Sequence, residues 1–255
     1  MKLQISPLFL KVWQRHFDVW MKSAGVSLLG SLGEPVLYLM AMGFGLGAYL
    51  GKMQGLPYMN YIAPGLILSS GMFSATYECT YGAFLRMIHL KTYDAITTTP
   101  VSLDEVITGD IFWGVTKAMM SGSIMFLACL IFGLIHSVWA IGILVILFLG
   151  GFLFSSLAMY MTSRAKTFEW FNYYLELFIT PMFFFSGVFF PLDHLPPWVK
   201  TVSLFLPLTH AVRSSRNLMA GHIGWEILLT FALLLGTGVI IFLAAVQSIQ
   251  KRLVK

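Results

Sequence analysis

Six apolar runs, each long enough to cross a lipid bilayer, constrain this chain more than any other feature. About 20 apolar residues span the hydrocarbon core as a helix. No water is available there to backbone N–H and C=O groups, so each run must satisfy its own hydrogen bonds, as a helix does. The runs cover 23–50, 58–85, 107–135, 138–162, 167–190 and 223–249. The expected fold is an all-α polytopic membrane protein, with six transmembrane helices in a single domain over 1–255. Composition agrees: 58% of residues are hydrophobic and 11% charged, against about 45–50% and 25% in soluble domains. The net charge of +5 does not point to nucleic acid, because Lys and Arg gather at the ends of the runs as membrane topology requires. Lipid is the expected surroundings, with no nucleic-acid partner.

An even number of spans puts both termini on one side. That side collects Lys2, Lys11, Arg15, Lys22, Arg86, Lys91, Arg164, Lys166, Lys251, Arg252 and Lys255. The other collects Lys52, Lys200, Arg213 and Arg216, while Lys117 falls inside the third run and counts for neither. Positive-inside bias therefore places both termini of this multi-pass protein in the cytoplasm. Lys11, Arg15 and Asp18 interrupt the first twenty residues, so no cleavable signal peptide is expected. Cys79 and Cys129 lie within apolar runs and should pack as free thiols.

Three segments outside the runs have patterns of their own. Over 5–22, Leu10, Trp13, Phe17 and Trp20 fall on one helical face and Lys11, Arg15, Asp18 and Lys22 on another. That is the pattern of a helix lying in the membrane interface. Over 86–104 the sequence predicts a short helix to Ile96, a turn at Pro100, and a capping box from Ser102 to Glu105 that starts the third span. Over 180–221, Pro191, Pro196, Pro197 and Pro207 break an apolar stretch that also holds Asp193 and His194. This predicts a half-inserted helical hairpin over 186–222, between the fifth and sixth spans, with Pro191 as its turn and 199–206 as an amphipathic arm.

No G-x-x-x-x-G-K-[ST] occurs, and Gly51-Lys52 is followed by Met53, so the chain has no P-loop for ATP. His and Cys show no metal spacing, and no G-x-S-x-G occurs. Glu34, Glu78 and Glu176 are carboxylates within apolar runs. Each costs about 2.5–3.5 kcal/mol on insertion scales and should face the bundle interior or water. Glu34 precedes Pro35 and serves equally well as a partner for backbone groups that a proline kink frees. Glu78, among Thr76, Tyr77, Thr80 and Tyr81, reads as a polar lining. The candidate translocation path is Glu34, Glu78, Tyr81, Glu176, Phe183 and Phe185. Most aromatics of the fifth run are expected to pack or meet lipid. Gly43, Gly47 and Gly51 have the spacing that permits close helix approach near the outer end of the first span.

This order of elements resembles the permease subunits of type-2 ABC exporters, and within them the nodulation lipo-oligosaccharide exporter branch. The stretches that carry it are Tyr61-Ile-Ala-Pro-Gly-Leu-Ile, Ala75-Thr-Tyr-Glu, Lys91-Thr-Tyr-Asp-Ala-Ile, Gly109-Asp110 and Trp113-Gly-Val-Thr-Lys-Ala118. The longest are Ile179 to Pro196 and Leu206-Pro-Leu-Thr-His210. The resemblance implies a non-catalytic transport subunit, paired with a second permease copy as a homodimer and with two copies of a cytoplasmic ABC ATPase that binds ATP and Mg. It implies that 86–104 carries a coupling helix, with His89, Lys91, Thr92, Tyr93, Asp94, Ile96 and Pro100 at the ATPase contact. It implies that Pro191, Asp193, Pro196, Pro207 and His210 belong to an outer gate. The implied cargo is amphipathic: a lipo-oligosaccharide, a polysaccharide or a hydrophobic drug. No cofactor is expected in this chain itself. The alternatives are an ATPase-independent secondary transporter or channel, which should show inverted repeats, and a lipid-modifying enzyme using Asp193, His194 and His210.

Overall fold

The computed structural model describes residues 6–25 and 36–253. Glu34 and part of the predicted first span lie outside the described residues. The rest is helical except for one small hairpin. Helix α1 is Phe9–Met21 and α2 is Val36–Leu50, which widens to a π-helix over Ala41–Leu46. Two short strands, β1 (Lys52–Met53) and β2 (Leu56–Pro57), pair antiparallel, Lys52 opposite Pro57 and Met53 opposite Leu56. Gln54 and Gly55 between them have φ of 50° and 81°. A two-residue turn needs both positive angles to match the twist of its strands.

Helix α3 (Tyr58–Tyr77) runs on through two π-helical turns, Glu78–Gly82 and Leu85–His89. Helix α4 is Thr92–Thr97 and α5 is Leu103–Ile131. A 3-10 turn, Val138–Gly142, leads into α6 (Ile143–Arg164). Helix α7, over 169–185, joins Glu169–Tyr174, a π turn at Leu175–Ile179, and Thr180–Phe185. Then come α8 (Pro197–Ser203), α9 (Pro207–Met219) and α10 (Trp225–Leu253). Leu103–Ile131, Val138–Arg164 and Trp225–Leu253 are each long and apolar enough to cross a membrane. Apolar helices of this kind make the chain an all-α polytopic membrane protein.

Several boundaries follow from local chemistry. The Ser102 side chain accepts from the Glu105 N–H and the Glu105 carboxylate accepts from the Ser102 N–H at 2.7 Å, so the predicted capping box starts α5. Cys79 and Cys129 are buried free thiols, as expected. The fifth helix ends earlier than the sequence suggested. It stops at Phe185, and a turn follows at Gly187, with φ of 75°, ahead of Pro191. Glycine tolerates that angle where other residues are strained. The next residue, Val188, lies so close to α3 that a Cβ on Gly65 would meet its Cγ1 at 2.8 Å.

Helices α3, α5 and α6 form the centre of the bundle, with α1 against the first half of α5 and α10 against α6. Close approaches rest on glycine. A Cβ on Gly43 would meet the Met59 side chain of α3 at 2.8 Å. A Cβ on Gly109 would lie 2.6 Å from Val12 Cβ and 3.0 Å from the Phe9 carbonyl oxygen. Part of that obstacle is backbone, so it does not yield easily. Gly109→Ala should therefore lift α1 from α5 and destabilise the protein by about 1–3 kcal/mol, the usual cost of overpacking. A thermal midpoint in detergent equal to that of the parent would contradict this.

Candidate functional site

The face of α1 turned to the bundle carries Trp13, Phe17 and Trp20, while Lys11, Arg15, Asp18 and Lys22 stay exposed. Val12 and His16 are its buried residues, and Leu10 is exposed. Trp13 and Phe17 are half-buried and stack at 5.6 Å, and the Trp13 Nε1–H donates to Thr116 Oγ1 at 2.8 Å. His16 is the central residue of this face. Its Nε2 meets the Asp110 carboxylate on α5.

Asp110 is wholly buried and gathers four elements. The Tyr93 hydroxyl of α4 donates to its Oδ2 at 2.5 Å. The Arg86 guanidinium, at the end of α3, lies 3.4 Å from the same oxygen and donates to Glu78 Oε1 at 2.7 Å. A carboxylate this deep persists only with partners of opposite charge and hydrogen-bond donors, and here it has both. Burial, with the Asp110 carboxylate beside it, pushes the Tyr93 phenol well above its ordinary pKa, so it remains a donor. Sequence reasoning gave Asp110 and Arg86 no site role and missed His16. An Asp within the third apolar run, costly if unpaired, was the signal that could have found the cluster.

The predicted coupling residues divide between two faces. Thr92 and Tyr93 are buried, Ile96 is half-buried, and His89, Lys91, Asp94 and Pro100 are exposed. Lys91 caps α4 in the left-handed region, with φ of 49°. The His89 ring stacks on Phe168 at 5.2 Å. Tyr93 therefore points into the bundle, where it holds α4 in place, while Asp94 faces outward.

Glu78 lies on the wall of a cavity of about 630 Å³, shared by α2, α3, α5 and α7. Tyr38 stands on its α2 side; Ser70, Ser74 and Glu78 on its α3 side. Lys117 and Ser121 contribute from α5, and Phe183 and Phe184 from α7. Phe183 sits edge-on to Phe73 at 5.3 Å and to Phe189 at 4.9 Å. Of the predicted path, Glu78 and Phe183 line this space. Tyr81 lies beside it, bonded through its hydroxyl to Asn172 Oδ1 at 2.8 Å and edge-on to Phe171 at 5.2 Å. Glu176 and Phe185 are exposed on α7, away from the cavity, because the π turn at Leu175–Ile179 and the helix end at Phe185 set their faces outward.

At the other end, Pro191 is buried at the head of a 3-10 turn, Leu192–His194, and Asp193 pairs with Lys200 at 2.5 Å. Pro196 caps α8, Pro207 opens α9, and His210 Nε2 lies 2.8 Å from the Leu204 carbonyl oxygen. Arg216 of α9 ties this region down. Its guanidinium lies 3.8 Å from the Tyr61 ring centroid and donates to the carbonyls of Gly187 at 2.9 Å and Tyr61 at 3.3 Å.

Residues 7–220 match the family described as ABC-2 type transporter. The chain belongs to that family. Within the ABC-2 transporters it sits with proteins named Nodulation protein J. That of Sinorhizobium fredii (strain NBRC 101917 / NGR234) is 36% identical over 245 residues, which is 96% of this chain and 94% of that protein. That of Rhizobium leguminosarum bv. viciae is 34% identical over 247 residues, 97% and 95% of the two chains. A more distant relative, the Inner membrane transport permease YadH of Escherichia coli (strain K12), is 26% identical over 242 residues, 94% and 93%. The ABC-2 resemblance seen in the sequence thus holds over nearly the whole chain, and the protein is a multi-pass transport permease.

The geometry ranks substitutions. Asp110→Asn removes the charge that holds Arg86 and His16 and should cost about 3–5 kcal/mol, as breaking a buried ion pair does. Tyr93→Phe removes one hydrogen bond to that charge and should cost about 1.5–3 kcal/mol. Denaturation of the purified variants in detergent checks the order; equal losses would remove Asp110 from the centre of the cluster. Arg216→Lys loses the planar fork and the stack on Tyr61. It should raise the thiol-labelling rate of a cysteine placed at Ser186 by about tenfold, the factor that about 1.4 kcal/mol of loosening gives.

Proposed function

We propose that this chain is the membrane-spanning subunit of an ATP-driven exporter, with the cavity between α2, α3, α5 and α7 as part of its path. The observation that carries the reading is a continuous chain of side-chain contacts from the short helix α4 to the cavity wall. Tyr93 of α4 bonds Asp110, Asp110 faces Arg86, and Arg86 bonds Glu78, whose residue lines the cavity. A force applied at the exposed side of α4 is delivered through short charged contacts to the place where a cargo would sit.

In this reading six spans cross the membrane and both termini lie in the cytoplasm, as the distribution of Lys and Arg favours. Helix α1 rests at the inner interface, and 186–222 forms a half-inserted outer gate containing Pro191, Asp193, Pro196, Pro207 and His210. The exposed residues His89, Lys91, Asp94 and Pro100, with Thr92 and Ile96 beside them, meet a separate cytoplasmic ATPase. That partner, present in two copies, binds ATP and Mg; two permease copies complete the transporter. The cargo is amphipathic, in keeping with aromatic rings and hydroxyls around one cavity, and leaves from the cytoplasm or the inner leaflet. Lipo-oligosaccharides, polysaccharides and hydrophobic drugs are the classes that the family resemblance brings.

The test is whether a P-loop ATPase co-purifies with this chain, followed by ATPase assays on the reconstituted complex. The expected outcome is a stoichiometric complex whose hydrolysis responds to the permease. Asp94→Arg, on the exposed face of α4, should lower that response about tenfold, as loss of about 1.4 kcal/mol of coupling does, with folding intact. A permease that purifies alone, or an Asp94→Arg complex with full response, would refute the assignment.

A further inference from the structure

Lys117 is the one cation on the wall of the cavity among the described residues. It lies on α5, at membrane depth by the reading above, where an unpaired ammonium is costly and marks a functional site by default. Among the described residues no carboxylate lies within salt-bridge distance of it. The carboxylate on the same wall, Glu78, is held by Arg86 at 2.7 Å. The neighbours of Lys117 are aromatic instead: its Nζ lies 5.6 Å from the centroid of the Trp20 ring and 6.0 Å from that of Trp113. Contacts of that kind steady an ammonium without neutralising it. One turn along α5, Ser121 also lines the cavity, and its hydroxyl makes no hydrogen bond among the described residues. Facing them are the rings of Phe183, Phe184 and Tyr38.

We propose that Lys117, with Ser121, is the receptor for an anionic head group, and that this cavity takes an amphipath carrying a phosphate, sulfate or carboxylate beside its apolar part. The inference rests on the reading of the cavity as the path and narrows the cargo within it. The ammonium supplies charge and donors to the head group, and the aromatic wall supplies the surface for the apolar part. Glu78 is engaged by Arg86 rather than by Lys117.

The test uses the full chain in nanodiscs of phosphatidylcholine, titrated with dodecyl phosphate, dodecanol and inorganic phosphate. Binding is read from tryptophan fluorescence, to which Trp20 and Trp113 beside Lys117 contribute. The wild type should hold dodecyl phosphate at least about tenfold more tightly than dodecanol, the ratio expected of one charge-assisted hydrogen bond. Added salt should narrow the ratio. Lys117→Gln should bring it close to one with dodecanol binding unchanged, and Lys117→Arg should keep it. Unchanged dodecanol binding shows that the Gln variant keeps its cavity. If that variant does not fold, the wild-type ratio and its salt dependence still decide. A wild-type ratio of one, or a Gln variant that keeps the preference, overturns the proposal. So does inorganic phosphate binding as tightly as dodecyl phosphate, since the site would then be one for a bare ion.

Nanodiscs with added phosphatidylglycerol separate the two sources of such a head group. Displacement of dodecyl phosphate there assigns the site to an anionic membrane lipid, and its absence to a carried molecule. Both support an anionic amphipath at Lys117. A failed ATPase co-purification would leave these ratios untouched, and a ratio of one would leave the ATPase partnership untouched.

Discussion

One buried carboxylate, Asp110, sets the arrangement of the end of the bundle where α1 and α4 lie. An ionised Asp with no exposed surface cannot remain in an apolar interior unless its charge is balanced and its oxygens receive donors. Meeting that need fixes where α1 lies, since His16 must reach α5, and how α4 is seated, since Tyr93 must point inward. It also commits Arg86, which then holds Glu78. Four elements acquire one geometry through shared dependence on a single charge. Gly109 beside it permits the close approach of α1 that the contact demands.

The opposite end is organised by a cation. Arg216 is carried on a helix that follows several chain breaks, and it closes on the backbone of the turn at Gly187. A guanidinium stacked on Tyr61 and bonded to two carbonyls makes α3 the common footing for the hairpin and the body of the bundle. The two ends thus use different means. A network of side-chain charges positions α4, whereas one arginine gripping main-chain oxygens positions the region after α7. The latter leaves one side of α8 open, with Trp198 and Val202 exposed.

What could be read from the sequence was what local chemistry decides. The capping box at Ser102, the short helix through Ile96, the apolar runs and the family resemblance all depend on neighbours within a few positions, or on composition. The site depended on distance. Arg86 and Tyr93 reach Asp110 from 24 and 17 positions away, and His16 from another helix altogether. No periodicity encodes such a meeting. The two faces of α1 were legible, but not His16 between them, because one buried histidine leaves no pattern of its own. The fifth helix ends at Phe185, ahead of Pro191, because proline announces a break, whereas glycine permits one where packing asks for it. Glu176 and Phe185 were assigned to the path by residue type, which does not tell which way a helix face turns; both are exposed on α7.

The π-helical turns of α3 have a further consequence for how the cavity and α4 are kept in step. In a regular α-helix, residues eight apart are about 80° out of phase and about 12 Å apart along the axis. Glu78 and Arg86 have that separation, yet they make a 2.7 Å ion pair. The turns at Glu78–Gly82 and Leu85–His89 are wider than α-helical turns, and each residue advances less around the axis. Two such turns bring the eighth residue back toward the face of the first. The helix thus works as a phase adjuster. Were both turns to relax to regular α-helix, the carboxylate would swing about 80° away from its arginine, uncoupling the cavity wall from α4 while leaving every functional side chain in the sequence.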